Sequence, residues 1–235
     1  GYHLQIQRLA LEIDRGLVAR HVRLYATADA PEPFMEAKAF TVAINPIPLV
    51  RRRKVIPVIS IVDGALRVNL GQGQFGARQG SRSIAVDRLN LRFSAAPDEI
   101  LLREFSADVL SIHFRGRGAV YPPPREARSV VGNPLAAAIQ LAENAPAGVL
   151  RLVEQINAIS FAESPSADFT FALYPAHPEA NSVAFRLNSP AGGSLRGITF
   201  DQGSLDVAWK DQQIRLPSFQ LQKGAGILGL SGWYD

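Results

Sequence analysis

Cysteine is missing from the 235-residue chain, and histidine is scarce. Without cysteine there is no disulfide framework, no thiolate nucleophile and no cysteine-based metal site. The four histidines, His3, His21, His113 and His177, are accompanied by no Gly-x-Ser-x-Gly elbow, no His-Glu-x-x-His pair and no acidic calcium loop. The sequence therefore offers no motif of nucleophilic or metal-assisted catalysis, and we expect no catalytic residues, no metal and no cofactor.

Long apolar runs and a strong charge imbalance are also absent. The longest apolar run, 55–62, is interrupted by Pro57 and is far shorter than the roughly 18 to 20 residues that a membrane-spanning helix needs. Hydrophobic residues make up 47% of the chain and charged residues 20%, a balance typical of a globular protein rather than a disordered one. The net charge of +4 fits an ordinary surface as well as an anionic partner.

Apolar residues at every second position are abundant, which is the pattern of half-buried strands. Leu4 to Ile13 and Leu17 to Tyr25 alternate on either side of a turn signal at Asp14-Arg15-Gly16, so they predict an antiparallel hairpin. A change of phase near Arg8 indicates a bulge there. Further runs lie at 40–44, 55–62, 66–70, 86–93, 100–105, 109–114, 169–173, 183–187, 205–209, 214–216, 219–221 and 227–230. The pattern predicts a mainly β fold with a curled antiparallel sheet, open as a trough.

One stretch departs from this alternation and favours helix. Asn133-Pro134 is a cap followed by a first turn, and apolar residues then recur at helical spacing before Asn144-Ala145-Pro146 and again up to Ile159. A short two-helix insertion is therefore predicted. The expected organisation is an antiparallel β unit at 1–128, a helical insertion at 129–160, and a second β unit at 161–235 that continues the sheet.

The run Arg51-Arg52-Arg53-Lys54 is the sharpest charge feature. Between two strands it forms a basic loop tip, which attracts anionic lipid head groups by about 1 kcal/mol per residue. A solvated turn that keeps its apolar neighbours from aggregating explains the same run equally well. Because no aromatic residues are interleaved with it, nucleic-acid binding is not expected.

Acidic residues allow a third kind of function, hydrolysis by carboxylates that meet in space. Glu99, Glu104 and Asp108 come nearest to a cluster. A hydrolase predicts a polar cleft with raised carboxyl pKa values, whereas turns and strand surfaces are the simpler role for these residues. His113, between Ile112 and Phe114, is expected on the polar face of a strand.

Alternating apolar sets in four strands are the candidate functional residues. They fill a closed core, as in a β-sandwich module whose loops bind a protein or glycan, or they face an open trough that receives acyl chains at about 0.8 kcal/mol per CH₂. We expect the trough, with the sets sharing one interior. The residues are Leu66, Val68 and Leu70; Leu89, Leu91 and Phe93; Phe169, Phe171 and Leu173; and Leu205, Val207 and Trp209.

Several segments of this sequence resemble the AsmA-like proteins of Gram-negative envelopes, which are relatives of TamB and the chorein-like bridge proteins. They are the opening hairpin Leu4 to Tyr25, the order "strand, Asn-Pro, basic loop, strand, Asp-Gly, strand" from Phe40 to Leu70, and the segment Ser83 to Val120. The closing stretch Gly203 to Tyr234 adds Leu-x-Val-x-Trp and Leu-x-Leu-Ser-Gly-x-Tyr. The likeness covers most of the chain.

The resemblance implies a periplasmic protein tethered to the inner membrane by a helix that precedes Gly1. It also implies an elongated curled sheet with an apolar groove, which binds phospholipid acyl chains and serves phospholipid transport or the upkeep of the outer membrane. Expected partners are phospholipids, the inner-membrane surface and other envelope proteins. The helical insertion at 129–160 departs from the unbroken sheet of the family.

Overall fold

The computed structural model describes residues 2–12, 15–43, 57–70, 82–96, 98–122 and 159–234, and most of these residues lie in strands. They fall into two units, Gly1–Ala119 and Val120–Asp235, and antiparallel pairing builds the sheet in each. The predicted mainly β fold, with a curled antiparallel sheet that does not close, is confirmed.

The described part of the first unit contains seven strands that pair in chain order as a meander. They are β1 (His3–Glu12), β2 (Gly16–Tyr25), β3 (Met35–Ala43), β4 (Val58–Leu70), β5 (Arg82–Ala95), β6 (Ile100–Val109) and β7 (Ile112–Val120). Each strand is apolar at alternate positions, so it can bury one face and leave the other to solvent. The predicted opening hairpin is confirmed, with Leu4 opposite Leu24 and Leu11 opposite Leu17.

The described part of the second unit contains two sheets. Its strands are β8 (Ile159–Phe161), β9 (Ser166–Leu173), β10 (Ser182–Ser189), β11 (Gly193–Leu195), β12 (Ile198–Phe200), β13 (Gln202–Lys210), β14 (Gln213–Lys223) and β15 (Gly226–Tyr234). The larger sheet has the order β9-β10-β13-β14-β15, and the smaller sheet has the order β12-β11-β8. A single turn of 3-10 helix, Pro178–Ala180, lies between β9 and β10.

The prediction of helix up to residue 160 is wrong at its end. Ile159 and Ser160 lie in β8 and pair with β11. A short apolar run does not distinguish helix from strand by periodicity alone, and the β-branched Ile159 and aromatic Phe161 favour the strand. Residues 129–158 of the predicted insertion lie outside the described residues, and the three-part division at 128 and 160 stays a prediction.

The Asp63-Gly64 pair lies inside β4, where the sequence predicted a turn between two strands. Asp63 has a left-handed φ of 51°, and its N–H donates to Asn90 Oδ1 at 3.1 Å. The register with β5 shifts between Ile61 and Gly64, so the pair forms a β-bulge that lets the strand continue. Asp and Gly both tolerate left-handed backbone, and the same two residues therefore signal a bulge as readily as a turn.

A two-residue turn divides the segment 109–114 that the sequence predicted as one strand. Leu110 and Ser111 have φ values of 52° and 64°, which is the geometry of a type I′ hairpin turn. That turn normally takes Asn and Gly, and neither is present. Without those residues, no turn signal indicates that β6 ends at Val109 and β7 begins at Ile112.

Three left-handed residues lie side by side across the first unit: His21 in β2, Asp63 in β4 and Arg88 in β5. Lys38 of β3 lies between the first two, because the pairs on either side of it place it opposite both. We call His21, Lys38, Asp63 and Arg88 the kink row. A single left-handed residue breaks the pleat of a strand and increases its twist, so the row marks one level at which β2, β4 and β5 each carry such a break.

The alternation of apolar residues in β1 shifts by one position near Arg8. This shift coincides with an irregularity in β2 and not with a bulge in β1. Ile6 pairs with Val22 and Arg8 with Arg20 in one continuous register. The residue between Val22 and Arg20 is His21, whose left-handed backbone belongs to the kink row. The predicted bulge near Arg8 is therefore wrong, although the sequence signal marked the correct level of the sheet.

Candidate functional site

The predicted apolar residues of β4 and β5 share one face of the first unit's sheet. Residues directly opposite each other in antiparallel strands project from the same face, as do residues two apart in one strand. Leu89 lies opposite Gly64, and these two residues are two positions from Leu91 and from Leu66 respectively. The sets that contain Leu66 and Leu89 are therefore brought together, as the sequence predicted.

Neighbouring strands extend this apolar face. Directly opposed pairs are Val42–Ile59, Phe40–Ile61, Met35–Leu66, Leu66–Val86, Ile61–Leu91, Ile59–Phe93, Leu91–Phe105 and Phe93–Leu102. Leu89 is buried, whereas Leu66, Leu91 and Phe93 remain half-buried. All seven strands described in this unit belong to one sheet, so no second sheet among them covers the face. Val68 and Leu70 pair with Ile84 and Arg82 through the backbone, and their side chains lie outside the described residues.

The second unit has a comparable apolar face on its larger sheet. Its directly opposed pairs are Phe169–Phe185, Phe171–Val183, Phe185–Val207, Val183–Trp209, Leu187–Leu205, Leu205–Phe219 and Phe219–Leu230. The rings of Phe169 and Phe171 stack with centroids 6.2 Å apart. Leu173 alternates with Phe171 on β9 and therefore shares its face. The two predicted sets of this unit are thus joined through β10.

The smaller sheet covers one end of this second face. Phe200 of β12 is 6% exposed, and its ring lies against Gly203 so closely that a Cβ there would meet Phe200 Cε2 at 3.1 Å. Ala167 and Leu187, at the same end of β9 and β10, are also buried. At the opposite end Ile214 is 49% exposed. The apolar face of the second unit is closed at one end and open at the other.

Gly192 fixes the smaller sheet in this position. Its φ is 72°, and a Cβ there would collide with the backbone of Phe200 and Asp201. Its carbonyl accepts hydrogen bonds from Ser189 Oγ at 3.0 Å and from the Ala162 N–H at 3.2 Å. Only glycine combines this backbone with this close approach, so residue 192 determines how the end of the face is covered.

The opposite face of the second unit is polar. Arg186 Nε donates to Asp206 Oδ1 at 2.6 Å, and Asp168 lies opposite Arg186 on its other side. The hydrogen bond to Asp206 and the charge of that carboxylate raise the pKa of Arg186. A charged ladder of this kind belongs to a solvent-facing surface. At β9, β10 and β13 the larger sheet therefore has one polar face and one apolar face.

The carboxylate of Asp108 contacts two basic side chains, those of Arg88 and His113. Its Oδ2 accepts from Arg88 and its Oδ1 lies 2.8 Å from His113 Nδ1. Burial acts to raise the pKa of Asp108, but the hydrogen bonds from His113 and Arg88 and their charges outweigh it and hold the pKa below its ordinary value. A general acid for hydrolysis needs the opposite shift, so this cluster lacks the raised carboxyl pKa that the hydrolase alternative predicted.

The other two acidic candidates lie apart from Asp108. Glu104 is four residues away on β6, about 13 Å along an extended strand, and lies opposite Arg92. Glu99 is in the turn before β6, where its carbonyl accepts from the Ala96 N–H at 2.7 Å. The spacing along β6 exceeds the roughly 5 to 9.5 Å between paired glycosidase carboxyl groups. The three residues do not form one site.

The basic run Arg51, Arg52, Arg53 and Lys54 lies outside the described residues. In the ranges that the structure describes, no three metal-binding side chains come together. The same ranges contain no helix of the length and apolarity needed to span a bilayer.

Comparison with protein-family models, curated proteins and solved structures found no match. The two apolar faces are therefore the features of the described residues that bear on function.

Sequence reasoning missed the residues that connect the predicted sets. Val183, Phe185 and Leu187 of β10 join the predicted residues of β9 to those of β13. Their alternation was visible in the sequence, but alternation does not tell which strands are neighbours. The short connection between β9 and β10 is the signal that would have found the first of these neighbours, because consecutive strands usually pair. The pairing of β10 with β13 left no such signal, since β11 and β12 lie between them in sequence.

Proposed function

We propose that this chain is a non-enzymatic lipid-handling protein of the Gram-negative envelope, whose apolar faces bind phospholipid acyl chains. The AsmA-like resemblance supports a periplasmic location with a tether to the inner membrane. Its role in that setting is phospholipid transport or maintenance of the outer membrane. The observation that carries the proposal is the pair of half-buried apolar faces, each built from several neighbouring strands.

Partial exposure of these faces supports binding rather than simple core packing. In a closed sandwich the inner faces of two sheets interdigitate about 10 Å apart and become fully buried. Here Leu91, Phe93, Phe169 and Val207 are only half-buried. An apolar surface left open in this way is normally a binding surface.

The energetics of acyl transfer fit such a surface. Burying hydrocarbon recovers about 0.8 kcal/mol per CH₂, so a sixteen-carbon chain released into water loses roughly 12 kcal/mol. The five strands of the second unit's larger sheet span about 19 Å at 4.8 Å spacing. A surface of this width shields much of one acyl chain and lowers the cost of moving it.

Native mass spectrometry of the chain purified in mild detergent tests the proposal. Co-purifying phospholipid, seen as a mass increment that dissociates on collisional activation, is the expected result. A clean apo mass after incubation with phospholipid vesicles would contradict lipid binding and favour the scaffold module described below.

A matched pair of variants locates the binding surface. Phe185→Asn places a polar group on the apolar face of β10, whereas Ala184→Asn places the same group on the exposed opposite face one residue away. We expect about a tenfold loss of bound lipid in the first variant, or about 1.4 kcal/mol, and little change in the second. Circular dichroism of both variants checks that the sheet is retained.

A protein-binding scaffold is the second candidate, and the smaller sheet favours it. Phe200 of β12 is buried against Gly203 of β13, and Ala167 and Leu187 at the same end of the larger sheet are also buried, as in the core of a sandwich. A module closed in this way recognises its partner through loops. The same mass spectrometry separates the two functions, since only the lipid-binding protein retains phospholipid.

A further inference from the structure

The buried ring of Phe200 lies between two glycines that belong to different sheets of the second unit. A Cβ on Gly203 of β13 would meet Phe200 Cε2 at 3.1 Å, and a Cβ on Gly193 of β11 would meet Phe200 Cζ at 3.0 Å. The missing side chains at these two positions make room for the ring. Contact on both sides then fixes it, because packed groups have little space to move.

This ring stands on the apolar side of the larger sheet. Gly203 and Leu205 are two positions apart on β13 and therefore project from the same face. Leu221, directly opposite Gly203, shares that face, and its Cδ2 is 3.2 Å from the position of a Cβ on Gly203. A hydrocarbon chain that follows the strands along the apolar face therefore meets the ring of Phe200 at Gly203.

The opposite end of the same face is open and has polar groups at its border. Trp209 and Ile214 lie opposite each other there, and the next residue of β13, Lys210, is exposed. The rings of Tyr121 and Tyr174 stack beside the end of β9 with centroids 4.6 Å apart. Tyrosine combines an apolar ring with a polar hydroxyl and suits a boundary between hydrocarbon and water. An apolar path with a polar entrance and an apolar wall matches the polarity of a lipid with its head group at the entrance.

The length of this path is set by β13. The strand pairs with β10 in one continuous register from Lys210 to Gly203. Trp209 and Gly203 are six positions apart, which is about 20 Å at about 3.3 Å per residue. An extended hydrocarbon chain advances by about 1.3 Å for each C–C bond of about 1.5 Å. The path therefore has the length of an acyl chain of about sixteen carbons.

We propose that Phe200 is an end stop that sets the length of acyl chain bound by the second unit, an inference that rests on the lipid-binding function proposed above. The chain lies along β10 and β13, with its terminal methyl group against Phe200 and its head group near Lys210. Carbons beyond about sixteen stay in water at the open end. They add nothing to the affinity, because only hydrocarbon removed from water contributes.

Binding of single-chain phospholipids of graded length tests the end stop. The probes are lysophosphatidylcholines with saturated chains of about twelve to twenty carbons, which displace a fluorescent fatty acid at concentrations below micelle formation. For the unmodified protein we expect the affinity to rise about fourfold with each added CH₂. The rise is expected to end at about sixteen carbons and the affinity to stay constant beyond that length.

Two variants move the limit in opposite directions. Phe200→Ala removes the ring and lengthens the path, so a chain of about twenty carbons is expected to bind about tenfold more tightly than it does to the unmodified protein. Leu205→Trp places an indole on the half-buried path before Phe200, so the rise is expected to end at about twelve carbons. Ile198→Ala is the matched control: it lies on β12 like Phe200, but its side chain is 67% exposed, and the limit is expected to stay unchanged.

Circular dichroism checks the fold of each variant, and Leu205→Trp tests the end stop by itself if Phe200→Ala does not fold. An affinity that keeps rising through the longest chain in the unmodified protein would overturn the end stop while leaving lipid binding intact. A limit that the folded variants at residues 200 and 205 leave unchanged would do the same. Absence of binding at every chain length would instead overturn the proposed function as well.

Discussion

Individual side chains in this protein are assigned to one of two environments by the pleat of the strand that carries them. Leu91 faces Ile61 and Phe105, whereas Ala85 on the same strand is exposed and faces Arg67. Charged residues on the wet side are paired across strands, as Arg20 is with Glu12 at 2.8 Å. The consequences of a substitution are therefore set by its face more than by its residue type.

Placing a charge on the apolar face of the first unit is expected to destabilise the fold strongly. Leu91→Asp removes apolar contacts and places a carboxylate without a partner on the apolar face. We therefore expect the free energy of unfolding to fall by about 2 to 4 kcal/mol. We also expect the variant to lose lipid binding. Ala85→Asp puts the same carboxylate on the exposed face opposite Arg67 and is expected to change stability by less than about 0.5 kcal/mol. Urea unfolding of both variants makes the comparison, and equal stability would contradict the assignment of faces.

Asp108 is expected to make stability depend on pH at the acidic end. Its pKa is lower in the folded chain than in the unfolded chain, so the stabilisation is present above the unfolded value and is lost as the pH falls through the folded value. Asp108→Asn is therefore expected to cost about 1 kcal/mol near neutral pH and little at strongly acidic pH. Urea unfolding at both pH values measures the difference, with the exposed Asp98→Asn as control. A constant difference at all pH values would exclude this origin.

At the scale of elements, the sequence predicted where most strands lie, but it did not predict the bulges and turns that interrupt them. Alternating apolar residues marked almost every strand. A shift of one residue would move every apolar side chain to the other face of the sheet, so the sequence of each strand has to keep the alternation. Left-handed residues gave no such signal: Asp63-Gly64 was predicted as a turn and forms a bulge, while Leu110-Ser111 forms a turn without the residues that usually mark one. Residue type does not mark these positions, because leucine and serine rarely adopt left-handed backbone.

The kink row predicts an effect of backbone conformation that is separate from side-chain contacts. His21 is exposed and has a φ of 51°. His21→Val is expected to cost about 1 to 2 kcal/mol, because a β-branched residue resists left-handed backbone. His21→Gly is expected to be neutral or slightly stabilising. Thermal unfolding ranks the three proteins; a valine variant as stable as the glycine variant would show that this position is not left-handed in solution.

At the scale of the whole molecule, each unit presents an apolar face made of residues distant in sequence. The sequence predicted most members of these faces, including Leu89, Leu91, Phe169 and Val207, because alternation identifies the inward side of each strand. It did not predict that a three-stranded sheet covers one end of the second face, since β8, β11 and β12 have three residues each. Elements that short leave no periodic pattern to read.

Photo-cross-linking with a phospholipid that carries a diazirine on its acyl chain tests the central claim most directly. Peptide mass spectrometry locates the adducts. We predict that they fall on the apolar faces, at Leu66, Leu91, Phe93, Phe171, Phe185, Val207 and Trp209, and that unlabelled phospholipid competes for them. Adducts spread equally over the polar faces, at residues such as Ala184 and Arg186, or no adducts at all, would contradict the account.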